Sequence, residues 1–161
     1  TRRSLSKSIW KLLKEEIDLF DSRDNIKFSY MGLEDATVTG PKPQLTRVFV
    51  NLINNAVQAI ENAQAEAEDR GEERFPGRIV VSLRLSSKDG FYDIVFEDNG
   101  PGVSDENRSR LFTPNFTTKS NGTGLGLSIC RNILEKCNGE IFYSKSFMLK
   151  GACFTVRFPR R

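Results

Sequence analysis

Two residue types that build many catalytic and metal sites are scarce in this chain: histidine is absent and cysteine occurs three times. The cysteines, Cys130, Cys137 and Cys153, lack the spacing of zinc ligands, which are drawn from cysteine and histidine. Cys130 and Cys137 would lie ~10 Å apart along one helix, which is too far for a disulfide. The sequence therefore excludes a zinc site of the usual kind and indicates free thiols in a reducing compartment.

Long apolar runs and an excess of charge are also missing. No segment approaches the ~20 apolar residues that span a bilayer, and Thr1 to Arg3 do not begin a signal peptide. The 24 lysines and arginines are scattered among 21 acidic residues, so no basic stripe is available to follow a nucleic-acid backbone. We expect a single cytoplasmic domain over residues 1–161, with no nucleic-acid partner and with membrane attachment only through segments outside this chain.

The hydrophobic periodicity that is present predicts an α/β fold. Apolar residues at three- and four-residue steps predict helices over residues 5–20, 45–63 and 127–136. Runs rich in β-branched and aromatic residues predict strands over residues 26–30, 37–39, 78–86, 91–97, 140–144 and 153–158. The charged stretch 64–77 is expected to be an exposed, mobile extension of the second helix. The fold class that follows is a two-layer α/β sandwich, with a mixed sheet of about five strands and about three helices on one face.

The segment from Asp98 to Gly102, with the sequence Asp-Asn-Gly-Pro-Gly, directly follows a predicted strand. Its glycines permit a sharp exit from the sheet and close approach of a ligand to the backbone. An aspartate at such a strand end can accept a hydrogen bond from an exocyclic amino group, such as that of adenine. On these residues alone, a tight loop without a ligand explains the segment equally well.

A second glycine-rich segment, Gly122 to Leu127, directly precedes a predicted helix. Consecutive backbone N–H groups and the positive end of the helix dipole favour a bound phosphate there. The segment is not a Walker loop, because the terminal lysine and hydroxyl residue are absent, and a dinucleotide fingerprint belongs in an early strand-turn-helix unit. By itself, this loop is a weak indication of a nucleotide.

Asn51 and Asn55 lie four residues apart and share one face of the apolar helix predicted over residues 45–63. Amides inside such a helix require polar partners. A hydrated Mg²⁺ carrying ATP phosphates would satisfy both side chains, because Mg²⁺ prefers oxygen ligands and retains water. The alternative is that both amides bond to neighbouring backbone groups.

Together and in this order, these segments resemble the histidine-kinase branch of the GHKL superfamily, whose members share the Bergerat ATP-binding fold. Residues 51–56 resemble the N box, 98–102 the G1 box, 111–119 the F box and 122–127 the G2 box. The resemblance runs over nearly the whole chain, including the terminal strand. Details at 58–60 and 117–119 resemble the nitrogen-regulation type of sensor kinase.

The resemblance implies roles for individual residues. Asn55 would coordinate Mg²⁺, Asn51 would support the phosphate side and Asp98 would recognise the adenine amino group of ATP. The residues that would line the nucleotide include Gly100, Gly102, Gly122, Thr123, Gly124, Leu125, Gly126 and Leu127.

An ATP lid is implied over residues about 104–121. Phe112 and Phe116 would be its hydrophobic hinges, a role compatible with plain core packing. Thr118 and Lys119 would lie near the phosphates, and Lys119 would join Asn51 and Asn55 as a catalytic residue. A solvated loop charge is the alternative for Lys119.

Asn51 also separates this chain from related ATPases. In gyrase, mismatch-repair proteins and the heat-shock chaperone, a glutamate at this position activates water, whereas an amide cannot take a proton near neutral pH. The resemblance therefore implies a protein-histidine kinase domain of a two-component system, possessing no acceptor histidine of its own. The acceptor would lie on the dimerisation and phosphoacceptor domain of a homodimeric bacterial sensor, and a response regulator would act downstream. The alternatives are a non-catalytic ATP-sensing or scaffold module and a GHKL-type ATPase.

Overall fold

The predicted periodicities produce a layered fold in the computed structural model, which describes residues 5–21, 23–33, 36–40, 42–114 and 126–160. The helices are α1 (Ile9–Phe20), α2 (Lys42–Asp69), the short α3 (Asp105–Arg108) and α4 (Gly126–Lys136). The strands are β1 (Leu5–Ser8), β2 (Ile26–Gly32), β3 (Thr37–Gly40), β4 (Gly77–Leu85), β5 (Phe91–Asp98), β6 (Glu140–Lys145) and β7 (Ala152–Pro159).

Five of these strands form one mixed sheet in the order β2-β4-β5-β7-β6. β2 and β4 run parallel, with α2 in the connection between them, and the other neighbouring pairs are antiparallel. Side chains alternate along the strands, so Ile79, Val81 and Leu83 of β4 are buried whereas Arg84 is exposed. With α1, α2 and α4 packed on the buried face, the predicted two-layer sandwich is confirmed.

α2 packs on β5, the strand that precedes the first glycine-rich segment, and on the neighbouring β7. Phe49 of α2 is fully buried, and its ring centroid lies 6.2 Å from that of Phe96 on β5 and 6.4 Å from that of Phe158 on β7. Burying one such side chain contributes about 1.5–3 kcal/mol to stability. The position of α2 relative to the ends of β5 and β7 is therefore set by core packing.

The helix predicted over residues 5–20 was wrong in its first turn. Leu5–Ser8 form β1, which pairs antiparallel with β3 in a separate two-stranded sheet. The helix begins at Ile9, whose N–H donates to the carbonyl oxygen of Ala36 at 3.0 Å. Local apolar spacing did not reveal this strand because its partner lies far along the chain.

The stretch predicted to be exposed over residues 64–77 is partly buried. α2 continues to Asp69, and Gln64 is only 2 % exposed. Its side chain accepts a hydrogen bond from Asn25 Nδ2 at 2.9 Å and donates one to the carbonyl oxygen of Phe75 at 2.9 Å. The first bond ties α2 to the residue before β2, and the second ties the segment after α2 to the helix. The mobility of that segment stays a prediction.

None of the helices in the described part of the chain combines the length and apolar character needed to cross a membrane.

Candidate functional site

Asp98 occupies the predicted position at the end of a strand. It is the last residue of β5 and is 3 % exposed. Its Oδ1 accepts hydrogen bonds from the N–H of Gly100 at 2.9 Å and the N–H of Ala152 at 3.2 Å. Two backbone donors on one carboxylate oxygen fix the side chain where β5 meets β7.

Gly151 is a site residue that the sequence reasoning missed. A Cβ atom at this position would lie 2.3 Å from the carbonyl oxygen of Asp98 and 2.7 Å from Asp98 Oδ1. Only glycine fits this close backbone approach. The pairing of Glu97 with Cys153 brings Gly151 there, and this register is a tertiary feature without a local sequence signal. We call Asp98, Gly100, Gly151 and Ala152 the strand end of the site.

Asn99 links the segment after Asp98 to the start of the neighbouring strand β4. Its Oδ1 accepts a hydrogen bond from the N–H of Arg78 at 2.8 Å, and its Nδ2 donates to the carbonyl oxygen of Pro76 at 2.9 Å. The side chain therefore closes the start of β4 against the end of β5. Asn99 is thus bonded to β4 and Asp98 to β7, the two strands on either side of β5.

At the opposite side of the site, Asn51 connects α2 to α4. Its Nδ2 donates to the carbonyl oxygen of Gly126 at 3.4 Å and lies 3.7 Å from Cys130 Sγ. Gly126 is the first residue of α4 and belongs to the second glycine-rich segment. We call Asn51, Asn55, Gly126 and Cys130 the helix end of the site. The Asn51 amide thus bonds to a backbone group, as the alternative interpretation allowed, although that group lies 75 residues away at the beginning of α4.

Cys130 is completely buried beside this contact, and its thiol lies 3.9 Å from the carbonyl oxygen of Val48. Burial raises the pKa of the Cys130 thiol to about 11, and the hydrogen bond from Asn51 only partly opposes this. The thiol is therefore protonated near neutral pH. Cys130, Cys137 and Cys153 are free thiols in the structure.

One face of α2 joins the two ends. Asn51 and Ala59 lie eight residues apart on α2, which is about two helical turns. A Cβ atom on Gly100 would lie 3.4 Å from Ala59 Cβ. Asn55 lies midway between them at the four-residue spacing that places side chains on one helix face, and it is partly buried. The face runs ~12 Å along the axis from the glycine at the start of α4 to the glycines after β5. The described parts of the three segments singled out in the sequence therefore lie around one candidate site.

Comparison with known proteins gives the family of the chain. The family described as histidine kinase-, DNA gyrase B- and HSP90-like ATPase matches over residues 40–161. The chain belongs to this ATPase family. It is 39 % identical over 116 residues to the sensor histidine kinase ZraS of Salmonella typhi, covering 72 % of this chain and 22 % of that protein.

Solved structures narrow the assignment within the ATPase family. The catalytic domain of the histidine kinase ThkA matches with a TM-score of 0.80 at 27 % identity, covering 99 % of this chain and 97 % of that one. ThkA in complex with the response regulator protein TrrA matches with a TM-score of 0.74 at 26 % identity, covering 98 % of this chain and 42 % of that one. The chain is thus an ATP-binding catalytic domain of the histidine-kinase type. It spans only 20 % to 26 % of the length of three curated relatives.

Several residues expected from the ATPase-family resemblance lie outside the described part of the chain. They are Phe116, Thr118, Lys119, Gly122, Thr123, Gly124 and Leu125. Of the others, Gly126 and Leu127 open α4, and Gly102 follows β5. Phe112 is partly buried and its ring meets that of Phe154 edge to face at a centroid distance of 6.3 Å. Phe112 therefore packs against the core, as the sequence reasoning allowed.

Proposed function

We propose that this domain binds Mg²⁺-ATP and transfers the γ-phosphate to a histidine on a separate dimerisation and phosphoacceptor domain. The observation that carries the proposal is the pairing of a buried, backbone-oriented Asp98 at one end of the site with an amide, Asn51, at the other. ATP as the substrate agrees with the family to which the domain belongs. The acceptor has to be supplied by another segment, because the chain contains no histidine.

Asp98 is the residue proposed to recognise adenine. Its orientation is held by the N–H groups of Gly100 and Ala152, so little rearrangement is needed when a ligand arrives. A carboxylate accepts hydrogen bonds and donates none when ionised, which favours the amino group of adenine over the carbonyl oxygen of guanine. A buried charge–dipole contact of this kind also discriminates more strongly than an exposed one.

The helix end is proposed to hold the phosphates and Mg²⁺. Within the described residues, no group of three or more acidic or cysteine side chains could hold a metal by itself. The side-chain oxygen donors of the helix end are amides, which suit an ion that is bound mainly through substrate phosphates and water. The amide oxygen of Asn55 would be the protein ligand. When bound, Mg²⁺ would neutralise charge on the phosphates. Asn51 would maintain the start of α4, where backbone N–H groups favour phosphate.

The choice between kinase and hydrolase depends on the residue type at position 51, which is an asparagine in this chain. An amide cannot remove a proton from water, so the chain lacks a general base where the related ATPases have glutamate. A neutral imidazole is already a nucleophile and needs no such base. Transfer to histidine then requires positioning of ATP and closure of a lid, for which residues about 104–121 with Phe112, Phe116, Thr118 and Lys119 are proposed.

The partners and the location follow from the proposed phosphotransfer. A homodimer formed through the phosphoacceptor domain would supply the histidine, and a response regulator would receive the phosphoryl group, as the complex of ThkA with TrrA suggests by analogy. The domain would work in the cytoplasm, where free thiols persist.

The test is to incubate the domain with Mg²⁺ and ATP labelled at the γ-phosphate, with and without a separate histidine-containing phosphoacceptor domain. Label on the histidine, stable in alkali and labile in acid, is the expected result. An acceptor with the histidine replaced by glutamine is the matched control. Release of free phosphate alone would favour a hydrolase, and ATP binding without either product would favour an ATP-sensing module.

A further inference from the structure

A buried serine, Ser146, organises the turn that leads into the strand end of the site. We call Ser146 to Gly151, which connect β6 to β7, the clamp turn. Ser146 is only 1 % exposed, although its side chain is polar. Burying a hydroxyl is costly unless it is hydrogen-bonded, so the partners of Ser146 indicate what this residue holds in place.

The hydroxyl of Ser146 bonds in two directions. It donates to Glu97 Oε2 at 2.8 Å, and its oxygen accepts a hydrogen bond from the N–H of Leu149 at 2.9 Å. Glu97 directly precedes Asp98 on β5. The hydroxyl therefore closes the clamp turn and ties it to the strand that ends in Asp98.

The backbone of Ser146 extends this connection to the Asp98 carboxylate. Its N–H donates to the carbonyl oxygen of Gly151 at 2.7 Å. That carbonyl belongs to the same peptide unit as the N–H of Ala152, which donates to Asp98 Oδ1 at 3.2 Å. Because a peptide unit is planar, holding its carbonyl oxygen also holds the direction of its N–H. Hydrogen bonds linked in this way also polarise one another.

A strained residue in the clamp turn points to the same requirement. Lys150 has a φ of 73°, in the left-handed region that residues other than glycine rarely adopt. Its N–H donates to the carbonyl oxygen of Ser146 at 2.9 Å. Such conformations persist where the surrounding contacts impose them, and they cluster at ligand sites. Here the strain lies directly before Gly151, whose peptide unit is bonded to Asp98.

We infer that Ser146 is a positioning residue for base recognition. It holds the peptide unit between Gly151 and Ala152, so that the N–H of Ala152 keeps the Asp98 carboxylate directed at adenine. This inference rests on the proposed function in one respect, namely that Asp98 recognises adenine. Ser146 directly follows β6 and lies outside all of the candidate nucleotide-binding segments singled out in the sequence.

The direct test is residue-resolved amide hydrogen exchange of Ser146→Ala without nucleotide. We expect the Ala152 amide to exchange about fivefold faster, the effect of losing one neutral hydrogen bond. Ser86→Ala is the matched control, because the Ser86 hydroxyl oxygen also accepts a backbone N–H, that of Lys88 at 3.0 Å, in the turn at the opposite end of β5. An unchanged Ala152 rate in Ser146→Ala, or equal acceleration throughout the sheet, would overturn the inference.

A second measurement separates positioning of the base-recognising carboxylate from simple stabilisation. Calorimetric titrations with ATP and with GTP give the ratio of the two affinities, and a loss of stability alone leaves this ratio unchanged while the protein stays folded. In Ser146→Ala, ATP affinity should fall about fivefold and GTP affinity should change little, because only the adenine contact depends on the orientation of Asp98. A wild-type ratio in Ser146→Ala would contradict the inference.

Glu97 gives a second route to the same contact that leaves Ser146 in place. Glu97→Ala removes the acceptor of the Ser146 hydroxyl and should lower the ratio of ATP to GTP affinity about threefold, whereas Glu97→Gln retains an acceptor oxygen and should keep the ratio near the wild-type value. Equal ratios in Glu97→Ala and Glu97→Gln would count against the role of the hydroxyl. A wild-type domain without preference for ATP over GTP would sink adenine recognition by Asp98, whereas the Ala152 exchange rates would still decide whether Ser146 holds the peptide unit.

Discussion

The strand end and the helix end of the site are constrained by different kinds of contact. At the strand end, backbone atoms of β5, β7 and the loop before β7 converge on Asp98, and even a methyl group on Gly151 is excluded. At the helix end, the contacts are made between side chains and the first turns of α4, and a Cβ atom on Gly126 would meet nothing within 4 Å. The comparison indicates that the strand end is held by rigid backbone sterics, whereas the geometry of the helix end depends on the spacing of two helices.

The largest effect is expected for Asp98→Asn. With the side-chain oxygen retained by the N–H groups of Gly100 and Ala152, the new NH₂ group would face the adenine amino group, donor against donor. We expect ATP affinity to fall about 100-fold. Calorimetric titration with ATP measures this, with Asp89→Asn in the β4–β5 turn as the control. Wild-type affinity for ATP in Asp98→Asn would refute the assignment.

Gly151→Ala should damage the strand end through sterics alone. The added methyl group has to displace the backbone of Asp98, at an expected cost of about 1–3 kcal/mol in the free energy of unfolding. Urea denaturation gives that quantity, and Gly126→Ala provides the comparison from the helix end. Gly126→Ala should retain stability or gain up to ~1 kcal/mol because alanine favours the helix. Equal decreases in the free energy of unfolding for Gly151→Ala and Gly126→Ala would mean that the strand end is no more tightly packed than the helix end.

Asn55→Ala tests whether the helix end binds Mg²⁺ through the amide of Asn55. We expect the dependence of ATP affinity on Mg²⁺ to be largely lost, with a decrease of about tenfold at saturating Mg²⁺. Titrations of ATP at several Mg²⁺ concentrations measure the dependence, and Asn62→Ala, at an exposed position on the same helix, serves as the control. Wild-type magnesium dependence in Asn55→Ala would show that another group holds the ion.

The smallest effect is a dependence of stability on alkaline pH at Cys130. The buried thiol has a pKa of about 11 against 9.0 for an ordinary thiol. Because the pKa is higher in the folded state, the Cys130 thiol loses its proton at lower pH in the unfolded state. The protonated thiol therefore contributes its full share of stability below pH ~9, and this contribution declines as the pH rises towards ~11. We expect about 1 kcal/mol of this loss by pH ~10. Cys130→Ala should abolish that part of the pH dependence of unfolding, whereas Cys137→Ala should leave most of it; identical pH profiles for wild type and Cys130→Ala would contradict the assignment.

Much of the fold was accessible from local patterns. The two hairpins, the broad apolar face of α2 and the position of Asp98 at the end of β5 all follow from alternation or helical spacing over a few residues. β1 was misread as helix because Leu5–Ser8 owe their conformation to pairing with β3. The end of α2 is mostly exposed, as expected, but Gln64 is buried because it finds its partners in Asn25 and Phe75.

The sequence by itself determined the order and chemistry of the candidate nucleotide-binding segments: the asparagines of α2, Asp98 with its glycines, and the glycines of residues 122–126. It also determined that this chain offers no histidine as a phosphate acceptor. Only the tertiary structure decided that Asn51 bonds to Gly126, that Gly151 supports Asp98 and that Ser146 bonds to Glu97. The physical reason is that these contacts depend on strand register and helix packing, which are set by the whole core and leave no mark in the spacing of neighbouring residues.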